Sequence, residues 1–162
     1  MPDSCLSFLQ SYALKFLSLN LDCRFGITDN ELSLVAASCS SLEVISLISI
    51  LNYRCLVTTL ANGCSALKHI HLSYCSLVSD SGRTRINLAV SWRQFNVSHC
   101  SGVNGSGLGG FSPTSTHIDA DSCKLEPKGI IGIVSGGGGG GGVEYLNVSC
   151  MKWCVSGGAV QQ

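Results

Sequence analysis

Charge of either sign is scarce in this chain. Only 12% of its 162 residues are charged, about half the usual share. The ten Lys and Arg balance the ten Asp and Glu to a net charge of zero. A phosphate-binding surface normally carries a clear basic excess, so nucleic acid is not an expected partner. No block of like charge marks an acidic or basic tail. Long unbroken apolar runs are missing as well. The most apolar stretch of spanning length, residues 32–51, contains Glu43 and several serines, so no membrane span is expected. Met1-Pro2-Asp3-Ser4 has no basic n-region, which predicts no signal peptide. The sequons at Asn96, Asn104 and Asn147 are then read as coincidental.

Catalytic and metal-binding patterns are also lacking. No Gly-x-Ser-x-Gly elbow follows an apolar strand, and no carboxylate pair sits in an evidently apolar setting. Ten cysteines are present, but none are spaced Cys-x-x-Cys. Cys150 and Cys154 have no second pair or nearby His to complete a zinc site. An even number of cysteines can build a disulfide framework, but the length and the missing export signal argue against one. No cofactor and no metal are expected.

What the chain does have is self-similarity. Leu14-x-x-Leu17-x-Leu19 begins a unit, and Leu42-x-x-Ile45-x-Leu47 begins the next. Leu67-x-x-Ile70-x-Leu72, Trp92-x-x-Phe95-x-Val97, Ser115-x-x-Ile118-x-Ala120 and Val143-x-x-Leu146-x-Val148 follow. A Cys stands eight residues after three of these starts, at Cys75, Cys100 and Cys123, and nine after the first, at Cys23. Cys39 and Cys64 each precede a start by three. Apolar residues two apart share one face of a short strand. Thr28-Asp29 and Ser79-Asp80 suit a turn that caps the next helix, because their side-chain oxygens accept free backbone N–H groups. No unit can bury its apolar side alone, so neighbours must stack. The recurring Cys is read as a small buried hydrophobe.

These units resemble the cysteine-containing class of leucine-rich repeats. The match is carried by Leu67-x-x-Ile70-x-Leu72-x-x-Cys75-x-x-Val78-Ser79-Asp80 and by Ile27-Thr28-Asp29-x-x-Leu32-x-x-Val35-Ala36-x-x-Cys39. The class is typical of F-box/leucine-rich-repeat proteins, and the chain most resembles the plant members. The resemblance implies an α/β leucine-rich-repeat solenoid, with short parallel strands on a concave side and helices on the convex side. It places an array of about six units over residues 14–162, after a partial N-terminal segment at 1–13. It also implies a non-catalytic recognition component of an SCF-type cullin ubiquitin ligase, located in the cytoplasm, the nucleus or both. The partners would be a protein substrate on the concave face and a cullin-ligase adaptor held through an F-box. Thirteen residues before Leu14 are too few for that element, so the chain is expected to be a fragment or short form with uncapped ends.

Variable positions of the strands should line the concave side. The first column reads Lys15, Glu43, Lys68, Arg93, Thr116 and Glu144. The second reads Phe16, Val44, His69, Gln94, His117 and Tyr145, and the third Ser18, Ser46, His71, Asn96, Asp119 and Asn147. Tyr74 and His99 lie further along. Aromatic, His and Arg side chains on a rigid sheet suit protein binding. The partner-contact residues expected are His69, His71, Tyr74, Arg93, Asn96, His99, His117 and Asp119. His117 lies two strands from His69, too far for a tight metal site.

Two other readings carry different functions. One is a repeat scaffold or inhibitor unconnected with ubiquitin, or a fragment without independent activity. The other is an oxidoreductase built on Gly105-Ser106-Gly107-Leu108-Gly109-Gly110, although Ser112-Pro113 would end the helix a dinucleotide site needs. The seven glycines at 136–142 lack the Lys-Ser/Thr of a phosphate loop and are read as a flexible loop.

Overall fold

Each unit sets an apolar residue between two variable ones, and alternation along a strand sends the central residue to the opposite side from its neighbours. The computed structural model describes residues 15–24, 26–50, 56–79, 92–106, 114–135 and 143–150. Six three-residue strands follow this alternation: β1 Ser18–Asn20, β2 Val44–Ser46, β3 His69–His71, β4 Gln94–Asn96, β5 His117–Asp119 and β6 Tyr145–Asn147. They form one parallel sheet in chain order. Helices α1 Asp29–Ser38, α2 Leu56–Gly63 and α3 Pro127–Ser135 occupy three of the connections. The central strand residues Ile45, Ile70, Phe95 and Ile118 are buried, and Leu32, Val35, Leu60 and Ile133 from the helices join the same core. The helices therefore back one face of the sheet. This is the α/β leucine-rich-repeat solenoid that the repeats imply.

The register corrects the reading of the first unit. Leu19 pairs with Ile45, and Ile45 with Ile70. Unit one thus runs Phe16-x-x-Leu19-x-Leu21, two residues later than the Leu14 start. Phe16 packs against the core, whereas Leu17 is 59% exposed. Lys15 and Phe16 therefore leave the first-unit column positions, Ser18 moves from the third column to the second, and Leu17 and Asn20 take the first and third.

One backbone device recurs in all six units. Cys23, Ser49, Tyr74, His99, Ser122 and Cys150 all have positive φ, between 52° and 60°. Each lies seven residues after its corrected unit start. A left-handed residue turns the chain out of the strand while aiming its N–H at the next repeat. Tyr74 N donates to Ser98 O at 2.9 Å, and His99 N to Asp121 O at 2.8 Å. Two residues earlier, Leu72 N donates to Asn96 O and Val97 N to Asp119 O, both at 2.8 Å. The ladder so outlasts the three-residue strands and leaves few buried backbone groups unpaired. Cβ in this conformation costs roughly 1–2 kcal/mol per residue, which the extended ladder offsets.

The next position holds the buried thiols. Cys75 Sγ donates to Leu47 O at 3.0 Å, Cys100 Sγ to Leu72 O at 2.9 Å, and Cys123 Sγ to Val97 O at 3.0 Å. Each thiol reaches a carbonyl of the preceding repeat, so the residue is more than a small hydrophobe. It fills space and also ties two turns of the solenoid together. Cys23 and Cys150 do not belong to this set: they are the left-handed residues of their units, and both are exposed.

The convex side follows local signals. Thr28 is the N-cap of α1, accepting from Glu31 N at 3.3 Å, while Thr28 N donates to Glu31 Oε2 at 2.6 Å. This reciprocal pair is a capping box. At α3 the packing needs glycine. A Cβ on Gly129 would lie 2.5 Å from Gly105 Cα and 2.7 Å from Asn104 O. Gly105, at φ +89°, is thus committed to a helix contact, which removes it from a phosphate-cradling role. Residues 81–85, 107–113 and 136–142, including the rest of that glycine motif and the glycine run, lie outside the described residues.

Candidate functional site

With one face of the sheet on the core, the other displays the variable residues. All eight partner-contact residues expected from sequence are described, and the structure divides them into three groups.

The first group surrounds a shallow depression of about 150 Å³ over β3 to β6. It is lined by His71, Gln94, Phe95, Asn96, His117, Asp119 and Tyr145. Phe95 is the buried centre of β4 and closes the floor. His117 and Tyr145 are direct partners in the β5–β6 register, and their rings stack with centroids 5.8 Å apart. Thr116 Oγ1 lies 2.8 Å from His117 Nδ1, which fixes the ring's orientation. Gln94 and Tyr145 were in the sequence columns but not among the expected contacts. Their facing His117 across the register is the signal that marks them.

Asn96 and Asp119 also serve the repeat itself. Asn96 Oδ1 accepts from Ser98 N at 2.9 Å, and Asp119 Oδ1 accepts from Asp121 N at 3.2 Å. Asn20 and Asn147 do the same for Asp22 N and Ser149 N. A short side chain bonding its own backbone two residues on is the Asx turn. It leaves Asp119 Oδ2 turned to a neighbour, where Asn96 Nδ2 donates at a long 3.4 Å.

The second group is the rim beyond the strands. Tyr74 stacks on His99 with centroids 4.3 Å apart and planes 8° apart. His99 Nε2 stands 3.4 Å from Asp121 Oδ2. The other oxygen of Asp121 is buried without a hydrogen-bond partner among the described residues. Tyr74 is 53% exposed, and Leu77 close by in sequence is exposed too. These rings extend the surface because they occupy the left-handed position, which throws their side chains beyond the end of the sheet.

The third group is the opposite margin, where His69 and Arg93 lie. Beside them Lys68 Nζ pairs with Glu43 Oε1 at 2.7 Å. The lysine's hydrogen bond and charge hold the Glu43 carboxyl below its ordinary range. Arg93 is exposed at the head of β4.

Electrostatics elsewhere follow burial. In unit one, burial alone would raise the Asp22 pKa. Hydrogen bonds from the Ser46 hydroxyl (2.6 Å) and Ile48 N (2.8 Å), with smaller contributions from Asn20 and His71, outweigh burial and hold it below the ordinary value. Burial, then the nearby Cys39, pushes the Cys64 thiol up to about 11. The Cys75 sulfur and burial raise Cys100 further. Such thiols are unreactive at neutral pH. Among the described residues no three His, Cys, Asp or Glu side chains are grouped to hold a metal ion. No helix among them is long and apolar enough to cross a membrane.

No protein-family model matches the chain. It is, however, 43% identical over 155 residues to an Arabidopsis thaliana protein named F-box/LRR-repeat protein 12. The match covers 92% of this chain and 37% of that protein, so the chain spans little more than a third of its relative's length. With six stacked parallel repeats and a buried thiol ladder, the chain belongs to the leucine-rich-repeat arrays of the plant F-box/LRR-repeat proteins.

Proposed function

We propose that the chain is a protein-binding module, acting without catalysis of its own, that selects substrates for an SCF-type cullin ubiquitin ligase. The supporting observation is the open face of the sheet. Six parallel strands hold aromatic, His, amide and charged side chains in register, and the register is fixed by continuous backbone bonding. Such a face is already ordered before a partner arrives, so association costs little side-chain and loop entropy. The similarity to an F-box/LRR-repeat protein supports the ligase context, in which an F-box joins the cullin adaptor and the repeats contact the substrate. The setting would be the cytoplasm or nucleus.

The test is affinity capture with the tagged chain in cells of its source, with and without proteasome inhibition. The expected result is a captured protein that accumulates under inhibition and is released by the double variant Tyr74→Ala, His117→Ala. A captured protein whose level ignores the proteasome would favour the scaffold or inhibitor reading. Capture that ignores the double variant would remove the open face from the account.

A further inference from the structure

The open face is not electrically uniform. Lys68 and Arg93 lie on its β3–β4 side, where Glu43 neutralises the lysine. On the β5–β6 side stand Asp119, Asp121 and Glu144, and residues 116–121 and 143–149 contain no Lys or Arg. Neither Asp119 nor Glu144 is in an ion pair among the described residues. Among the described residues, Asp119 is the one charged carboxylate that lines the depression. At about 150 Å³ it is smaller than the usual 300–1,000 Å³ of small-molecule sites. It has room for one side chain of a larger partner.

Its chemistry narrows that side chain. Asp119 offers a carboxylate oxygen, Oδ2, whose partner is the long 3.4 Å bond from Asn96 Nδ2, and no cation pairs with it among the described residues. The stacked His117 and Tyr145 rings make an aromatic plane beside it. A planar cation satisfies both at once. It can donate to a carboxylate through its N–H fork and stack on an aromatic face. A lysine ammonium would meet the charge but not the plane.

We infer that this depression receives an arginine side chain of the protein partner, with the guanidinium donating to Asp119 and lying against Tyr145 and His117. The inference deepens the protein-recognition reading above and rests on it. Asp119 and Tyr145 become specificity-determining residues.

A random peptide library displayed on phage is selected against the purified chain. The strongest arginine-containing peptide is then titrated by fluorescence anisotropy, together with its citrulline and lysine versions. The variant Asp119→Asn suits the test because Asn20, Asn96 and Asn147 already form the same turn at the equivalent position, so the fold keeps its hydrogen bond and loses only charge. The expected results are selected peptides enriched in arginine, and binding weakened about tenfold by citrulline, by Asp119→Asn, or by both together. Equal effects of one change and of both show that they remove the same contact. Tyr145→Ser should weaken the arginine peptide more than the lysine one. Selected peptides without arginine enrichment, or an arginine preference that survives Asp119→Asn, would overturn the inference alone. A library that yields no binder to the open face would overturn the recognition reading with it.

Discussion

Cys100 follows the left-handed residue of its repeat, and Cys150 is the left-handed residue of its own. One step along the chain separates the two positions, yet one thiol is fully buried on a carbonyl of the preceding turn and the other is exposed. The left-handed residue turns the chain just past the end of the strand, and the side chains on its two sides meet different surroundings. In a solenoid, environment is therefore assigned by place in the repeat, not by residue type. The outer position takes Ser, Tyr, His or Cys, because the backbone ladder uses only its N–H. The inner position is a buried Cys that donates to a carbonyl in three repeats, and the buried Ile50 in the second.

The strongest way to break this contrast is to place charge on each side of it. Cys100→Asp puts a carboxylate at a fully buried position within the apolar core. It should abolish folding, since leaving a charge buried and unpaired costs several kcal/mol, and circular dichroism should show the loss. His99→Asp, one residue earlier, should keep the native spectrum. Next is Cys75→Ala, which deletes the thiol bond to Leu47 O and leaves a small void. We expect a loss of about 1–2 kcal/mol in urea unfolding, against under about 0.5 kcal/mol for the exposed Cys150→Ala.

The helix cap at Thr28, the six strands and most of the open face were legible before the structure. Each depends on local residue order: a hydroxyl before a helical run, or apolar residues two apart. The first unit misled because Leu14-x-x-Leu17-x-Leu19 and Phe16-x-x-Leu19-x-Leu21 fit the pattern equally well, and Cys23 resembled the buried thiols. Asn20 was the overlooked signal, since it makes the Asx turn that Asn96 and Asn147 make at the same place. The thiol bonds could not be read from sequence, because their acceptors lie in the preceding repeat, 26–28 residues away. The Tyr74–His99 stack was hidden likewise. Strand alternation does not say where a left-handed residue throws its ring.

Smaller effects sharpen the same comparison. Ser122→Gly relieves a side chain at φ 56° and should stabilise the chain by about 0.5–1 kcal/mol in urea unfolding. The same change at a right-handed strand residue such as Gln94 should destabilise it. Asp22 provides the pH test. Its folded-state pKa lies below the ordinary 3.8. Its contribution is therefore complete above that value and is lost as pH falls through the lowered one. Asp22→Ala should cost about 1 kcal/mol at neutral pH, a figure reduced by its partial exposure. The gap between wild type and variant should close in strong acid, as read from urea midpoints across pH 2–7.

The central claim is that stacked repeats sort side chains by position. Counting the thiols that react with a maleimide, residue by residue in the native chain, tests it most directly. The account predicts fast labelling of Cys23 and Cys150, with Cys39, Cys64, Cys75, Cys100 and Cys123 reacting only at the rate of unfolding. Fast native labelling of Cys75, Cys100 or Cys123, or protection of Cys23 and Cys150, would contradict the repeat register and the binding face built upon it.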